Sequence, residues 1–240
     1  MLVMNKMDID LRNYLQQNHN QLTWKKRIQI TYNIVNALDS IHRENSIHRD
    51  LHSGNILFLR ISQKFDISDL GFCGPADKRL KSIYGNLPYI APEVIVENDY
   101  TFKSDIYSIA MLMWEISSGQ SPFNNYEHDY YLAINIINGM RPTIVSGTPL
   151  EYESLMEQCW DADPLKRPDI KTLLKKIREI NLSYQIKNEE QITSNISNLQ
   201  PNKNLSVSSD SINSLVRNFS SKIYNFKDLP KPKNATKGKY

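Results

Sequence analysis

His48-Arg49-Asp50-Leu51-His52-Ser53-Gly54-Asn55-Ile56-Leu57 is the stretch that decides the fold, and Asp69-Leu70-Gly71 follows it with Asp69 fourteen residues beyond Asn55. Asp50 is a carboxylate able to accept a hydrogen bond from an attacking hydroxyl. Asn55, five residues on, and Asp69 are hard oxygen donors of the kind magnesium prefers. An isolated His-Arg-Asp tripeptide carries little information. The whole loop, followed at this distance by an Asp-x-Gly turn, is far more specific.

Outward from these segments the patterning is regular. Ile56-Leu57-Phe58-Leu59 and Phe65-Asp66-Ile67 read as two short strands that frame the candidate magnesium ligands. Upstream, Leu2-Val3-Met4 is a short β-like run, and Asp10 is placed to cap a short helix beginning at Leu11. Thr23 is placed to cap a long helix from about Trp24 to His42, in which Ile28, Thr31, Ile34, Val35, Leu38 and Ile41 recur at spacings of three and four. From Asp69 to Glu93 there is no periodicity. Asp105 to Ile116 is then apolar nearly all round, which predicts a buried central helix. Amphipathic helices are expected near 127–138, 150–160 and 169–180, with loops marked by Gly139, Arg141-Pro142, Asp163-Pro164 and Arg167-Pro168.

After residue 180 the composition changes. Residues 181–240 hold ten Asn and ten Ser, with isolated apolar residues, and predict a disordered tail. The tail has nine Lys and Arg against four Asp and Glu, a charge of +5, so residues 1–180 carry −2 of the net +3. Its charges are scattered, which favours a solvated tail over a nucleic-acid or lipid surface. Within it, Ile223-Tyr224-Asn225-Phe226-Lys227-Asp228-Leu229-Pro230 has the composition of a small docking motif, although most such stretches dock on nothing. Cys73 and Cys159 fit no metal or redox spacing and read as reduced thiols of an intracellular, cytoplasmic protein. No apolar run is long enough to span a membrane, and no signal-peptide pattern is present at Met1.

The loop and turn resemble the protein kinase family, in which H-R-D-L-x-x-x-N and D-x-G carry the phosphoryl-transfer machinery. Further segments continue the resemblance in order. Ala91-Pro92-Glu93 resembles the A-P-E that closes the activation segment, Ser104-Asp105-Ile106-Tyr107-Ser108 the start of the central helix, and Cys159 to Pro168 the C-W-x-x-D-P-x-x-R-P segment. The wording is similar to the tyrosine-kinase-like branch. The resemblance implies a mainly α-helical kinase C-terminal lobe of the α+β class over residues 1–180, starting at the hinge, with short strands around the catalytic loop and then the tail. It implies ATP and Mg2+ as cofactors, a protein substrate in signal transduction, and no nucleic-acid or membrane partner; oligomeric state is not legible.

Residue by residue, the resemblance implies Asp50 as the base, Asn55 and Asp69 as metal ligands, and Met4, Asn5, Met7 and Leu57 around the adenine. Structural support falls to His48, Arg49, Glu93, Asp105 and Arg167, with Asp105 holding the catalytic-loop backbone and Arg167 pairing with Glu93. Arg49 is also a ready partner for a phosphate on Ser82 or Tyr84. His48 is expected to pack inward and His42 to lie at the surface. Leu70 replaces the usual Phe, a tolerable apolar swap. His52 and Asn86 depart from the serine/threonine pattern at positions that contact the acceptor hydroxyl; serine or threonine is still expected ahead of tyrosine.

No glycine-rich loop, strand lysine or partner helix glutamate precedes Met4. In the family these belong to an N-terminal lobe of roughly 70 to 90 residues. Three readings follow: the catalytic half of a kinase, a pseudokinase-like binding module using the platform around residues 120–160, or part of a longer kinase. The 240-residue chain alone is expected to transfer no phosphate.

Overall fold

The computed structural model describes residues 7–75, 82–97, 99–196, 220–226 and 229–234, with the backbone alone for 187–196. Strand β1 (Ile9–Asp10) leads into helix α1 (Leu11–Asn18), and Asp10 caps it by accepting the Asn13 N–H at 2.9 Å. Helix α2 (Trp24–Arg43) starts at Thr23, whose hydroxyl accepts from the Lys26 N–H. Its stripe of Ile28, Thr31, Ile34, Val35 and Leu38 is buried, as the periodicity predicts, and Asp39 and His42 extend it inward.

Strands β2 (Ser46–Ile47), β3 (Ile56–Leu59) and β4 (Lys64–Ile67) follow. β1, β3 and β4 form one antiparallel sheet, with Asp10 opposite Leu57 and Phe58 opposite both Ile9 and Phe65. Phe58, Phe65 and Tyr14 gather on the face of this sheet that meets α1, with ring centroids 4.7–5.1 Å apart. Strand β5 (Gly74–Pro75) pairs with β2, and β6 (Ile83–Gly85) comes just before helix α3 (Pro92–Glu97).

Helix α4 (Phe102–Ser118) is the centre of the molecule. Fourteen of its residues, Ser104 to Ser117, are buried, as expected for a helix apolar on every face. A capping box of Thr101 and Ser104 opens it, and Gly119 closes it at φ +74, a left-handed turn that a residue with a Cβ resists and where a Cβ would run into the His19 ring. Around it lie α5 (Tyr130–Ile137), α6 (Leu150–Cys159) and α7 (Ile170–Ile196), the last packed along α2. The architecture is the expected helical lobe with short strands at one end.

Two features depart from the sequence expectations. α7 runs past residue 180 to Ile196, with Asn181 buried and its amide donating to Gln29 on α2. Residues 220–226 and 229–234 also lie against the lobe: β7 (Lys222–Tyr224) pairs antiparallel with β6, the Lys233 N–H donates to the Ile137 carbonyl at the end of α5, and Asn234 accepts from the Ala162 N–H. Residues 181–196, 220–226 and 229–234 thus continue a helix or make contacts with the lobe. Composition misses these contacts because they run through backbone groups and isolated side chains.

Arg167 ties the lower lobe together. It is fully buried, clasps both Glu93 oxygens at 2.6 and 2.7 Å, donates to the carbonyls of Asp161 and Lys103, and lies 5.2 Å from the Tyr107 ring centroid. Breaking one side of such a pair strands a charge, at a cost of about 3–5 kcal/mol. Arg167→Leu is expected to lower stability in urea by about that amount, and the Arg167→Leu/Glu93→Leu double variant to recover part of it; equal losses in the two variants would argue against an uncompensated charge as the cause.

Candidate active site

The loop after β2 is built on one carboxylate. Asp105, in the first turns of α4, is buried and accepts the His48 N–H at 2.8 Å and the Arg49 N–H at 3.0 Å, while His42 Nε2 lies 2.9 Å from its Oδ2. His42 is therefore buried against Asp105 and not at the surface; it sits one turn beyond Leu38, on the edge of the stripe that α2 turns inward. Arg49 adopts φ +72, left-handed backbone that costs about 1–2 kcal/mol outside glycine. The His48 ring is buried, with Nδ1 accepting the Asp50 N–H and Nε2 donating to the Ser68 carbonyl at 3.0 Å. That last bond ties the loop to the chain just before Asp69.

Asp50 emerges from this loop with only 3 % of its surface exposed. Burial pushes its carboxyl upward, but the nearby His52 ring and the hydroxyl of Ser221 outweigh it and hold the group below its ordinary value of 3.8. His52 Nε2 lies 3.6 Å from Asp50 Oδ1, and its Nδ1 accepts the Gly54 N–H. Asn55 donates from Nδ2 to the Asp50 carbonyl at 2.9 Å, which fixes its amide and leaves Oδ1 as the atom able to face a cation. The Asn55 carbonyl in turn accepts the Ser68 N–H at 2.8 Å and the Ser68 hydroxyl at 3.0 Å. Asp69 follows at once, exposed and in the left-handed region at φ +56. The β3–β4 hairpin and these bonds thus bring Asp50, Asn55 and the Asp69 turn to one end of the lobe.

The remaining candidates fall around this end. Arg49 donates to the Phe72 and Pro75 carbonyls at 3.1 and 2.7 Å, holding β5 beside the loop. Tyr84, in β6, stacks on Phe72 with centroids 3.8 Å apart, and its N–H and carbonyl both bond the Tyr100 hydroxyl; Ser82 is half-buried just ahead of β6. Glu93 and Arg167 meet 74 residues apart in sequence, away from Asp50. Leu57 is half-buried in β3, and Met7 is half-buried two residues before β1. Met4 and Asn5 lie outside the described residues.

Two groups escaped the sequence reading. Beneath the loop, Arg12 Nε donates to the Ser53 hydroxyl, which lies 3.4 Å from Tyr89 Oη, and Tyr89 donates to the buried Glu115 at 2.5 Å. Burial raises the Glu115 carboxyl, with Arg12 and Tyr89 opposing. A lone acid inside the apolar Ile106–Ile116 run was the available signal. The second is Ser221, whose hydroxyl donates to Asp50 at 2.8 Å. The one sequence signal near Ser221 is the Ile223–Pro230 stretch that begins two residues after it; the serine itself looks like the other nine of the tail.

A helical lobe with a buried aspartate, an asparagine five residues on and an Asp-x-Gly turn beside them is a kinase C-terminal lobe. The family model described as "Protein tyrosine and serine/threonine kinase" matches residues 1–177, and the chain belongs to that family. It is 34% identical over 174 residues to "Probable serine/threonine-protein kinase roco5" of Dictyostelium discoideum, covering 66% of this chain and 6% of that protein. It is 34% identical over 172 residues to "Dual serine/threonine and tyrosine protein kinase" of Homo sapiens, covering 70% of this chain and 18% of that protein. "Probable LIM domain-containing serine/threonine-protein kinase DDB_G0287001" of Dictyostelium discoideum is 30% identical over 181 residues, covering 74% of this chain and 27% of that protein. The chain therefore spans about a quarter or less of the curated relatives it matches. Among the described residues, no helix is long and apolar enough to cross a membrane.

His52→Asn keeps an acceptor for the Gly54 N–H while removing the ring nitrogen near Asp50. The Asp50 carboxyl lies below its ordinary value, so its contribution to stability is complete above that value and is lost as pH falls through the folded one. The variant is expected to move the Asp50 titration upward, read from its side-chain carboxyl carbon by NMR. An unmoved titration would remove His52 as the cause.

Proposed function

We propose that this protein transfers the terminal phosphoryl group of ATP to a hydroxyl on a protein substrate, serine or threonine ahead of tyrosine, as part of intracellular signalling. The observation that supports the reading most is the linkage of the three chemistry-bearing residues. Asn55 is bonded to the Asp50 backbone, and Ser68, next to Asp69, is bonded to Asn55.

In this reading Asp50 accepts the hydrogen bond of the acceptor hydroxyl, orients its oxygen and takes up its proton as the phosphorus–oxygen bond forms. Its depressed carboxyl is ionised at neutral pH and ready for that role. Asn55 Oδ1 and the Asp69 carboxylate are hard oxygens suited to magnesium, which is commonly held by one or two protein groups together with substrate phosphates. When bound, the cation neutralises charge on the phosphates. Leu57 and Met7, with Met4 and Asn5, are the residues assigned to the adenine.

A second reading, a non-catalytic binding module, draws on the platform between α4 and α6, where Tyr131 and Leu150 are largely exposed. One experiment separates the two. The protein in its full natural length is incubated with ATP, magnesium and casein, beside the Asp50→Asn variant. Asp50→Asn is expected to lower phosphate transfer by about 10²–10⁴-fold, and chelation of magnesium to abolish it. Transfer that survives Asp50→Asn undiminished, or no transfer by the unaltered protein, would overturn the kinase reading.

A further inference from the structure

Residues 220–226 cross the open end of the lobe in front of Asp50. β7 pairs antiparallel with β6 in the register Lys222–Gly85, Ile223–Tyr84 and Tyr224–Ile83, so the middle of the segment is held through strand pairing. Alternation does the rest. Ile223 is 66 % exposed, whereas Tyr224 is 9 % exposed and packs into the core, and Phe226 stacks on Tyr224 at 5.5 Å and meets Tyr130 of α5 at 6.0 Å. Farther on, Lys233 and Asn234 bond the end of α5 and the loop after α6.

This anchoring sets the place of one residue. Ser221 stands immediately before β7, with Oγ 2.8 Å from Asp50 Oδ1 and 3.1 Å from His52 Nε2. Gly85, opposite Lys222, has φ +143, and a Cβ there would come within 3.3 Å of Asp50 Oδ1, so glycine is what lets β6 carry the segment this close to the carboxylate. A serine hydroxyl donating to a buried carboxylate is the relation that an acceptor needs to its base.

We infer that Ser221 is a phosphoacceptor of this chain's own active site, modified in cis, with Tyr224 and Phe226 as the anchors that present it. The inference rests on the kinase reading above. In the reaction the Ser221 oxygen forms a bond to the terminal phosphorus of ATP. The bond from that phosphorus to the bridging oxygen breaks, ADP leaves with the electron pair, and the hydroxyl proton passes to Asp50 and then to solvent. The product places a phosphate carrying nearly two negative charges against the Asp50 carboxylate, and like-charge repulsion then favours departure of the segment from Asp50. Ser221 thus stands against Asp50 until its own modification displaces it.

The test uses the full-length protein with ATP, magnesium and casein, followed by site mapping by mass spectrometry and by rate measurement over a 100-fold range of protein concentration. Phosphate is expected on Ser221, at a first-order rate unchanged by dilution, absent in Asp50→Asn, and lost without moving to Ser220 in Ser221→Ala. Tyr224→Ser is expected to slow Ser221 modification at least tenfold. Casein phosphorylation with Ser221 unmodified would overturn the inference and leave the kinase reading standing, as would label on Ser220 or a Ser221 rate proportional to protein concentration. No transfer to either acceptor would overturn both.

Discussion

The carboxylate of Asp105 reaches from α4 into the turn after β2 and takes two consecutive backbone N–H groups, those of His48 and Arg49. Hydrogen bonds to a charged group contribute about 1.5–3 kcal/mol each, so the pair exceeds the cost of the left-handed backbone at Arg49, about 1–2 kcal/mol. That balance allows the chain to reverse at Arg49 and deliver Asp50 to the surface end of the lobe. From the same turn the Arg49 side chain holds the carbonyls of Phe72 and Pro75, and the His48 ring holds that of Ser68. The central helix, the loop and the Asp69 turn are thereby joined through a few short polar contacts in an otherwise apolar interior.

Those contacts explain why the site carries so many buried polar groups without losing its shape. Burial alone would push Asp50 toward its neutral form, and His52 and Ser221 reverse the outcome. The Arg12–Ser53–Tyr89–Glu115 chain links α1 to α4 under the loop, where Arg12 and Tyr89 oppose the upward push of burial on Glu115 without overturning it. In both places a buried carboxyl is met by polar partners, and Ser221 at Asp50 and Arg12 below reach their sites from segments distant in sequence. The edge of β6 beside Asp50 is completed by the chain's own β7.

Much of this was visible in one dimension because its causes are short-range. Asp10 and Thr23 cap the helices they precede, the three- and four-residue spacing from Ile28 to Leu38 marks the buried face of α2, and the run from Asp105 to Ile116 is buried on all sides. The Asp50–Asn55 relation is also local, closed by a single bond across five residues. Motif resemblance suggested the Glu93–Arg167 and Asp105 contacts, although their geometry spans more than fifty residues.

What composition and period could not reveal arises from long-range pairing. His42 looks like an exposed histidine near the end of a helix until α4 sets Asp105 against it. α7 continues past the loss of apolar rhythm, packed along α2. Ser221 reaches Asp50 across 171 residues through a strand whose main-chain donors and acceptors are the same in every sequence. Caps, periods and tight loops are written in neighbouring side chains and so can be read directly. The choice of which backbone edge a distant segment will join depends on shape and exposure, which exist only once the lobe has folded.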